Sequence, residues 1–352
     1  MIIILFFILC GILTNLFLVS PNSYYPLLIV IALVSTLMFV FSKKYFTINL
    51  KTILISIMAF LLSFSLSSFL IFKPSNYNYP NFKNIDNLKK AVIFYCEGEM
   101  EKYTPFYSNY FLKDKNIFLK PIYCFKIKRF YNQIKVNEKN KDLTQVAQQL
   151  KKSILNYKPY YFYIAFEGYT PNIKQAITSA IEDGCKSIYI INYTTKEIET
   201  KINNEVDLDF LRDKGISIKI SRPVYESDIF INYFVNKINN LPERYKGILI
   251  YDNKTQTSEK LKERLVKHGF SESGIIISKD LKSSFDYFKS QQINNILFVN
   301  LSSSGNGVEA ENIIRNELLK YSPYFKIHAI KSWGYDIELV KACISQFKKI
   351  EN

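Results

Sequence analysis

The chain has 352 residues, 48% of them hydrophobic, and a formal net charge of +15. Its 46 basic residues are dispersed among Asn, Ile, Phe and Tyr and form no long block, so the charge reads as a solvated surface and no nucleic-acid partner is expected. Two histidines and five cysteines without a C-x-x-C pair argue against a site built on several imidazoles and against a zinc or dithiol motif.

No charged side chain precedes Lys43, so residues 1–42 are expected to form two apolar spans broken at Ser20-Pro21-Asn22-Ser23. A third, over 53–72, is bracketed by Lys51 and Lys73. Each runs for about 17–20 residues, near the length a helix needs to cross the hydrocarbon core. The chain start lacks the positive region of a cleaved signal peptide. Residues 1–73 are therefore expected to be a membrane anchor with three transmembrane helices, which makes an integral, multi-pass protein whose first partner is membrane lipid. Lys43, Lys44 and Lys51 would put the loop between the second and third spans in the cytoplasm, yet Lys73 and Lys83 flank the other side almost as densely. The face carrying the soluble domain stays open between the two, with a slight lean to the cytoplasm.

A polar, proline-punctuated linker is expected over 74–88. Short β-rich runs follow at 91–96, 160–166, 187–193, 216–221, 247–251, 274–278, 296–301 and 326–330. They are nearly continuous in apolar residues, as strands buried on both faces of a parallel sheet are. Helical patterns lie between them. Leu143, Val146, Ala147, Leu150 and Ile154 share one face, and so do Ile173, Ala176, Ile177, Ala180 and Ile181, opened by Pro171 and closed by Gly184. A last helix is expected over 335–348. The pattern predicts an α/β protein with two Rossmann-like, doubly wound halves, 89–222 and 223–352, preceded by the three transmembrane helices. Any ligand would sit at the carboxyl ends of the strands or between the halves.

The loops after the strands are where chemistry would be placed. They read Cys96-Glu97-Gly98-Glu99, Phe166-Glu167-Gly168-Tyr169-Thr170-Pro171, Asp252-Asn253-Lys254, and Ser302-Ser303-Ser304-Gly305-Asn306-Gly307-Val308-Glu309-Ala310. The last contains G-x-G-x-x-A between a strand and a helix, the form of a dinucleotide fingerprint, though in the seventh strand–helix unit rather than the first. Glu309 stands in the first turn of the following helix, where it would complement the helix dipole or face a ligand.

From about residue 89 to 348 the order of segments resembles the ferrochelatase family, whose members insert ferrous iron into protoporphyrin in a cleft between two Rossmann-like halves. Ala91-Val92-Ile93-Phe94-Tyr95-Cys96-Glu97-Gly98 is similar to the opening strand and its glycine turn. Glu101-Lys102-Tyr103 and Ile127-Lys128-Arg129-Phe130-Tyr131 follow at suitable distances. Tyr163 to Ile173 matches the family's A-M-R-Y-x-x-P-x-I segment, and Glu309 falls at the helix-start glutamate.

The resemblance implies ferrous iron and protoporphyrin as substrates, no permanently bound cofactor, and a tetrapyrrole ligand. By it, Glu309 and Asp252 would be catalytic, with Asn253 at the place of the family's histidine. Glu309 and Glu317 would meet the metal, and Glu97, Gly98, Glu167, Tyr169, Thr170, Ser303 and Trp333 the macrocycle. Tyr169, Phe298 and Trp333 are candidates for apolar walls, with core packing the favoured role for Phe298, and Lys254 or Arg315 are candidates for pairing with propionates, with ordinary surface charge the favoured reading of both.

The departures are specific. An amide at 253 cannot take up a proton, so the expected base is absent there. Ile313 and Arg315 replace two acids of the family's acidic helix, Glu167 replaces an arginine, and Lys135 to Asn140 stands where the family has G-G-x-S-P-L. The alternative reading is a non-catalytic, membrane-tethered tetrapyrrole-binding or interaction module.

Overall fold

The computed structural model describes residues 2–42, 49–72, 82, 86–100, 102–105, 112, 115–133, 139–156, 158–305, 307–330 and 333–352. The chain folds into two compact units, one of Met1–Asn76 with Lys102–Lys135, the other of Tyr77–Glu101 with Val136–Asn352.

The first unit begins with three helices, α1 (Ile2–Val19), α2 (Tyr25–Ser42) and α3 (Leu50–Ile71). They are apolar all round, and Leu33, Met38, Leu54 and Leu62 stand more than half exposed. A helix of that kind has no polar face to give to water. Two of them, over Asn22–Val40 and Leu50–Ile71, are long and apolar enough to cross a membrane, while the apolar stretch Ile3–Val19 is shorter. The three expected spans are thus revised to two candidates. Lys43, Lys44, Lys73 and Lys83, on which the choice of membrane face turns, lie outside the described residues, as does most of the expected linker.

α1 packs closely along α3. A Cβ on Gly11 would stand 2.1 Å from Ser63 Oγ and 2.6 Å from the Phe60 carbonyl oxygen. The buried Asn15 donates to the Phe64 carbonyl at 3.1 Å, to Ser67 Oγ at 2.8 Å and to Ser68 Oγ at 2.7 Å. The small residues at the crossing and the interhelical amide hold α1 against α3.

The last carbonyls of α1 have no partner within the helix and must find one outside it. Residues 102–135 supply it. Lys128, on the helix Lys120–Gln133, donates to the Phe17 carbonyl at 2.8 Å and the Ser20 carbonyl at 3.1 Å. Tyr103 Oη donates to the Val19 carbonyl at 2.6 Å. The ammonium also lies 4.6 Å from the Tyr25 ring centroid and 5.2 Å from that of Phe125. Burial pulls the Lys128 amine down to about 8.

Among the described residues the second unit holds eight strands: β1 (Asp86–Glu97), β2 (Tyr161–Glu167), β3 (Cys185–Tyr193), β4 (Ser217–Ile220), β5 (Gly247–Tyr251), β6 (Ile275–Ile277), β7 (Asn295–Asn300) and β8 (Lys326–Ile330). They form two parallel four-stranded sheets, ordered β2-β1-β3-β4 and β6-β5-β7-β8. The same order in both, and helices over Lys139–Leu155, Ile173–Glu182, Asp228–Asn239 and Gln256–Lys267 between strands, agree with the expected α/β class.

Alternation along each strand decides which core a side chain joins. Ala91, Ile93 and Tyr95 enter one core with Ile173, Ile177 and Ala180 of the helix after β2. Leu249, Ile296 and Phe298 enter another with Phe285, Phe288 and Ile313. Their neighbours Val92, Phe94, Ile248, Ile250, Leu297 and Val299 meet in a third, shared by both sheets. The C-terminal helix, Ile337–Glu351, adds Leu339, Val340, Cys343 and Phe347 to that shared core, so the two halves do not have separate interiors.

Candidate functional site

In open parallel sheets ligands bind outside the carboxyl ends of the strands, where the strand order reverses. Here the reversal falls beside β1 in one sheet and beside β5 in the other. The loop after β1 is drawn against the loop after β2: Gly98 N donates to the Glu167 carbonyl at 2.9 Å. A Cβ at 98 would stand 2.6 Å from Phe166 Cβ and 2.7 Å from Tyr169 Cβ, so only glycine admits that approach. Glu97 Oε2 lies 3.5 Å from Lys139 Nζ, and Glu167 forms an ion pair with Lys201.

Glu99 joins this loop to the second half. The Asn140 side chain accepts from Glu99 N at 3.0 Å and donates to the Glu99 carbonyl, which fixes the backbone. The Glu99 carboxylate then accepts from Val308 N, with N···O distances of 3.0 and 2.9 Å, at the start of the helix Val308–Asn312. Gly307 leaves room for that carboxylate, since a Cβ would stand 2.1 Å from Glu99 Oε2 and displace it. Gly305, at φ +71°, leaves the space taken by Lys139, whose Cγ would be 2.7 Å from a Cβ. These contacts account for the two glycines of the fingerprint without a dinucleotide. The anion at the helix start is the protein's own carboxylate.

On the second sheet, Asp252 is buried at 3% exposure. Its Oδ2 accepts from Tyr225 Oη and from Thr255 Oγ1, each at 2.7 Å. Thr255 also caps the helix Gln256–Lys267, so the acid is built into the frame of the loop. Burial and the neighbouring Asp252 charge push the Tyr225 phenol well above its ordinary value, which keeps it a donor. Asn253, the next residue, is exposed.

The other expected site residues divide. Tyr169 and Ser303 are half-buried in the loops after β2 and β7, and Thr170 Oγ1 contacts Gln175 Oε1 at 3.0 Å. Glu309 belongs to the helix that Glu99 caps, and its side chain lies outside the described residues. Glu317 ends a π turn, Ile313–Glu317, and pairs with Lys320 at 2.6 Å. Arg315 pairs with Glu311 at 2.7 Å.

One wall candidate sits elsewhere, and a second takes the packing role favoured for it. Trp333 is fully buried, its ring 4.9 Å from those of Tyr193 and Phe230 and its Nε1 donating to the Leu301 carbonyl at 3.3 Å. Phe298 is likewise fully buried, in the outer core of the second sheet. Both are packing residues because their strand or loop positions point inward, and neither can line an open cleft in this arrangement. Among the described residues no group of three or more His, Cys, Asp or Glu side chains could hold a metal ion.

Lys139 and Asn140 enter the sequence analysis only as part of the segment that replaces the family's glycine loop, and Tyr225 does not enter it, although all three touch the acids at the strand ends. Nothing near them in sequence marks the contact: Asn140 is 41 residues from Glu99, and Tyr225 is 27 from Asp252.

No family model matches the sequence, and no curated protein matches it. Solved structures match it by fold. The sirohydrochlorin chelatase SirB from Bacillus subtilis subspecies spizizenii, in complex with cobalt, aligns with a TM-score of 0.50 at 12% identity, over 75% of this chain and 97% of its own. SirB from Bacillus subtilis with Fe3+ aligns with a TM-score of 0.52 at 12% identity, over 75% of this chain and 96% of its own. The chain therefore has a chelatase-like α/β fold; at this identity the likeness is one of fold.

Proposed function

We propose that this protein handles a tetrapyrrole at the carboxyl ends of its two sheets, held at a membrane by its apolar helices. The observation that carries the reading is the convergence of the loops after β1, β2 and β7 through Glu99, Lys139 and Glu167, at the place where an open parallel fold receives its ligand. Protoporphyrin and sirohydrochlorin are the macrocycles to consider, the second from the chelatases that share the fold. A membrane tether suits a sparingly soluble ring that partitions into bilayers.

Metal insertion demands more than binding. Two pyrrole N–H protons leave as the metal enters, and a base must face the ring. Three features favour binding or delivery over insertion. Asn253 is an amide, Asp252 is spent on two hydroxyls, and Glu97 and Glu167 are each matched by a lysine. In the insertion reading Glu309 is the proton acceptor, with ferrous iron as the incoming metal.

The test is titration of the full-length protein in lipid nanodiscs with protoporphyrin and with sirohydrochlorin. Absorbance and fluorescence are followed with and without anaerobic ferrous iron or cobalt. Saturable binding without metallation supports a binding module. Metallation lost in Glu309→Gln establishes insertion. Failure of both macrocycles to bind overturns the proposal.

A further inference from the structure

The helix Lys120–Gln133 is inside out for a helix in water. Its inward face carries Lys120, Cys124 and Lys128, all buried, spaced four residues apart. Lys128 is held by the end of α1, as described above, and Lys120 Nζ lies 5.6 Å from the ring of Phe72 at the end of α3. The outward face carries Ile122 and Phe130, each 44% exposed, and the turn before the helix adds Phe118 at 50% and Leu119 at 46%. Lys126 and Arg129 stand exposed among them. A soluble protein gains by the opposite arrangement, lysines out and isoleucine and phenylalanine in. The buried lysines are explained by the carbonyls and rings that they meet. The exposed apolar side chains have no such explanation among the described residues of the unit.

A membrane surface supplies one. The helix meets the ends of α1 and α3, so its outward face continues the apolar surface of those helices at their Ser20 and Phe72 ends. Apolar side chains with interleaved cations are what a helix lying in the headgroup layer presents, the rings in the acyl boundary and the ammonium and guanidinium groups among phosphates.

We infer that Lys120–Gln133 is an interfacial helix that docks on anionic phospholipid, inserting Phe118, Leu119, Ile122 and Phe130 while Lys126 and Arg129 pair with headgroups. This rests on the membrane reading of α2 and α3 and is independent of any tetrapyrrole.

The chain has a single tryptophan, Trp333, sealed in the soluble core, so an introduced indole gives a clean reporter. Full-length protein carrying Ile122→Trp is reconstituted in vesicles with brominated acyl chains, made of phosphatidylcholine alone or with phosphatidylglycerol. Met38→Trp, on the exposed face of α2, reports the spanning helices. The expected result is loss of about half or more of the added emission at 122, as burial of ~5–10 Å into the boundary implies. That loss should be larger with phosphatidylglycerol and fall back to the phosphatidylcholine value when Lys126→Glu and Arg129→Glu are combined. Quenching at 38 but none at 122 overturns the interfacial helix and leaves the spans intact. Quenching at 122 that ignores both lipid charge and charge reversal overturns the anionic docking. No quenching at either position overturns the membrane reading with it.

Discussion

β3 in the first sheet and β7 in the second end in the same device. Asn192 accepts from Thr194 N at 3.1 Å and from its hydroxyl at 2.7 Å; Asn300 accepts from Ser302 N at 3.0 Å and from its hydroxyl at 2.9 Å. Each asparagine pairs across the ladder with a tyrosine, Tyr95 or Tyr251, near the end of the neighbouring strand. Counting onward from those tyrosines sets Cys96 opposite Asp252 in the plan, and Glu97 opposite Asn253. At the inward position the first half buries a thiol, whose Sγ lies 3.8 Å from the Ala165 carbonyl, and the second half buries an acid fed by two hydroxyls. At the outward position one half has a carboxylate with a lysine beside it, and the other an exposed amide. One backbone plan therefore takes a charge only where its neighbours provide donors or an opposite charge. The halves share a frame and diverge in the groups that could do chemistry.

The comparison breaks most severely at the residue that both halves use. Trp333→Ala removes the ring between Tyr193 of the first half and Phe230 of the second, and is expected to cost about 3–5 kcal/mol. Thermal unfolding should show a lower midpoint, with amide exchange raised in both sheets together. Exchange raised in one sheet alone would mean that the halves are independent.

Asp252→Ala comes next, because it removes the acceptor shared by the buried Tyr225 hydroxyl and the half-buried Thr255 hydroxyl, at a cost of about 1–3 kcal/mol in the same assay. Adding Tyr225→Phe should return part of that loss by removing one stranded donor. Glu99→Gln keeps an acceptor at the helix start but drops its charge, and should cost about 0.3–1 kcal/mol.

Asn253→His is the mildest change in stability, within about 0.5 kcal/mol, because the position is exposed. It also sharpens the comparison. If the half lacks only the base, the variant should metallate a bound macrocycle faster than the parent in anaerobic absorbance measurements. An unchanged rate would show that the frame itself has lost the geometry.

The strands were legible because burial on both faces makes them continuous apolar runs, and 247–251 and 326–330 coincide with β5 and β8. β1 begins at Asp86, five residues before the expected 91, since its polar opening Asp86-Asn87-Leu88-Lys89-Lys90 carries no apolar pattern. The helix Lys120–Gln133 escaped the reading for the opposite reason: its buried face is made of lysines. At the site, the loops were placed by rule, but Glu99, Lys139 and Asn140 act by contacts across distant segments that no spacing encodes. Trp333 is fully buried against Tyr193 and Phe230, and a surface aromatic residue and a core one look alike in one dimension.

The chain path of the first unit bears on how this protein can be divided. After its apolar helices the chain leaves to lay down β1, returns over 102–135 to cap them, and leaves again. A cut placed just before β1, the obvious way to free the two sheets, would carry that returning stretch away from the carbonyls that Lys128 and Tyr103 satisfy. The shortened chain would keep the sheets and gain a sticky, lysine-lined orphan. During synthesis the same path means that α1 waits for more than a hundred further residues before its end is closed.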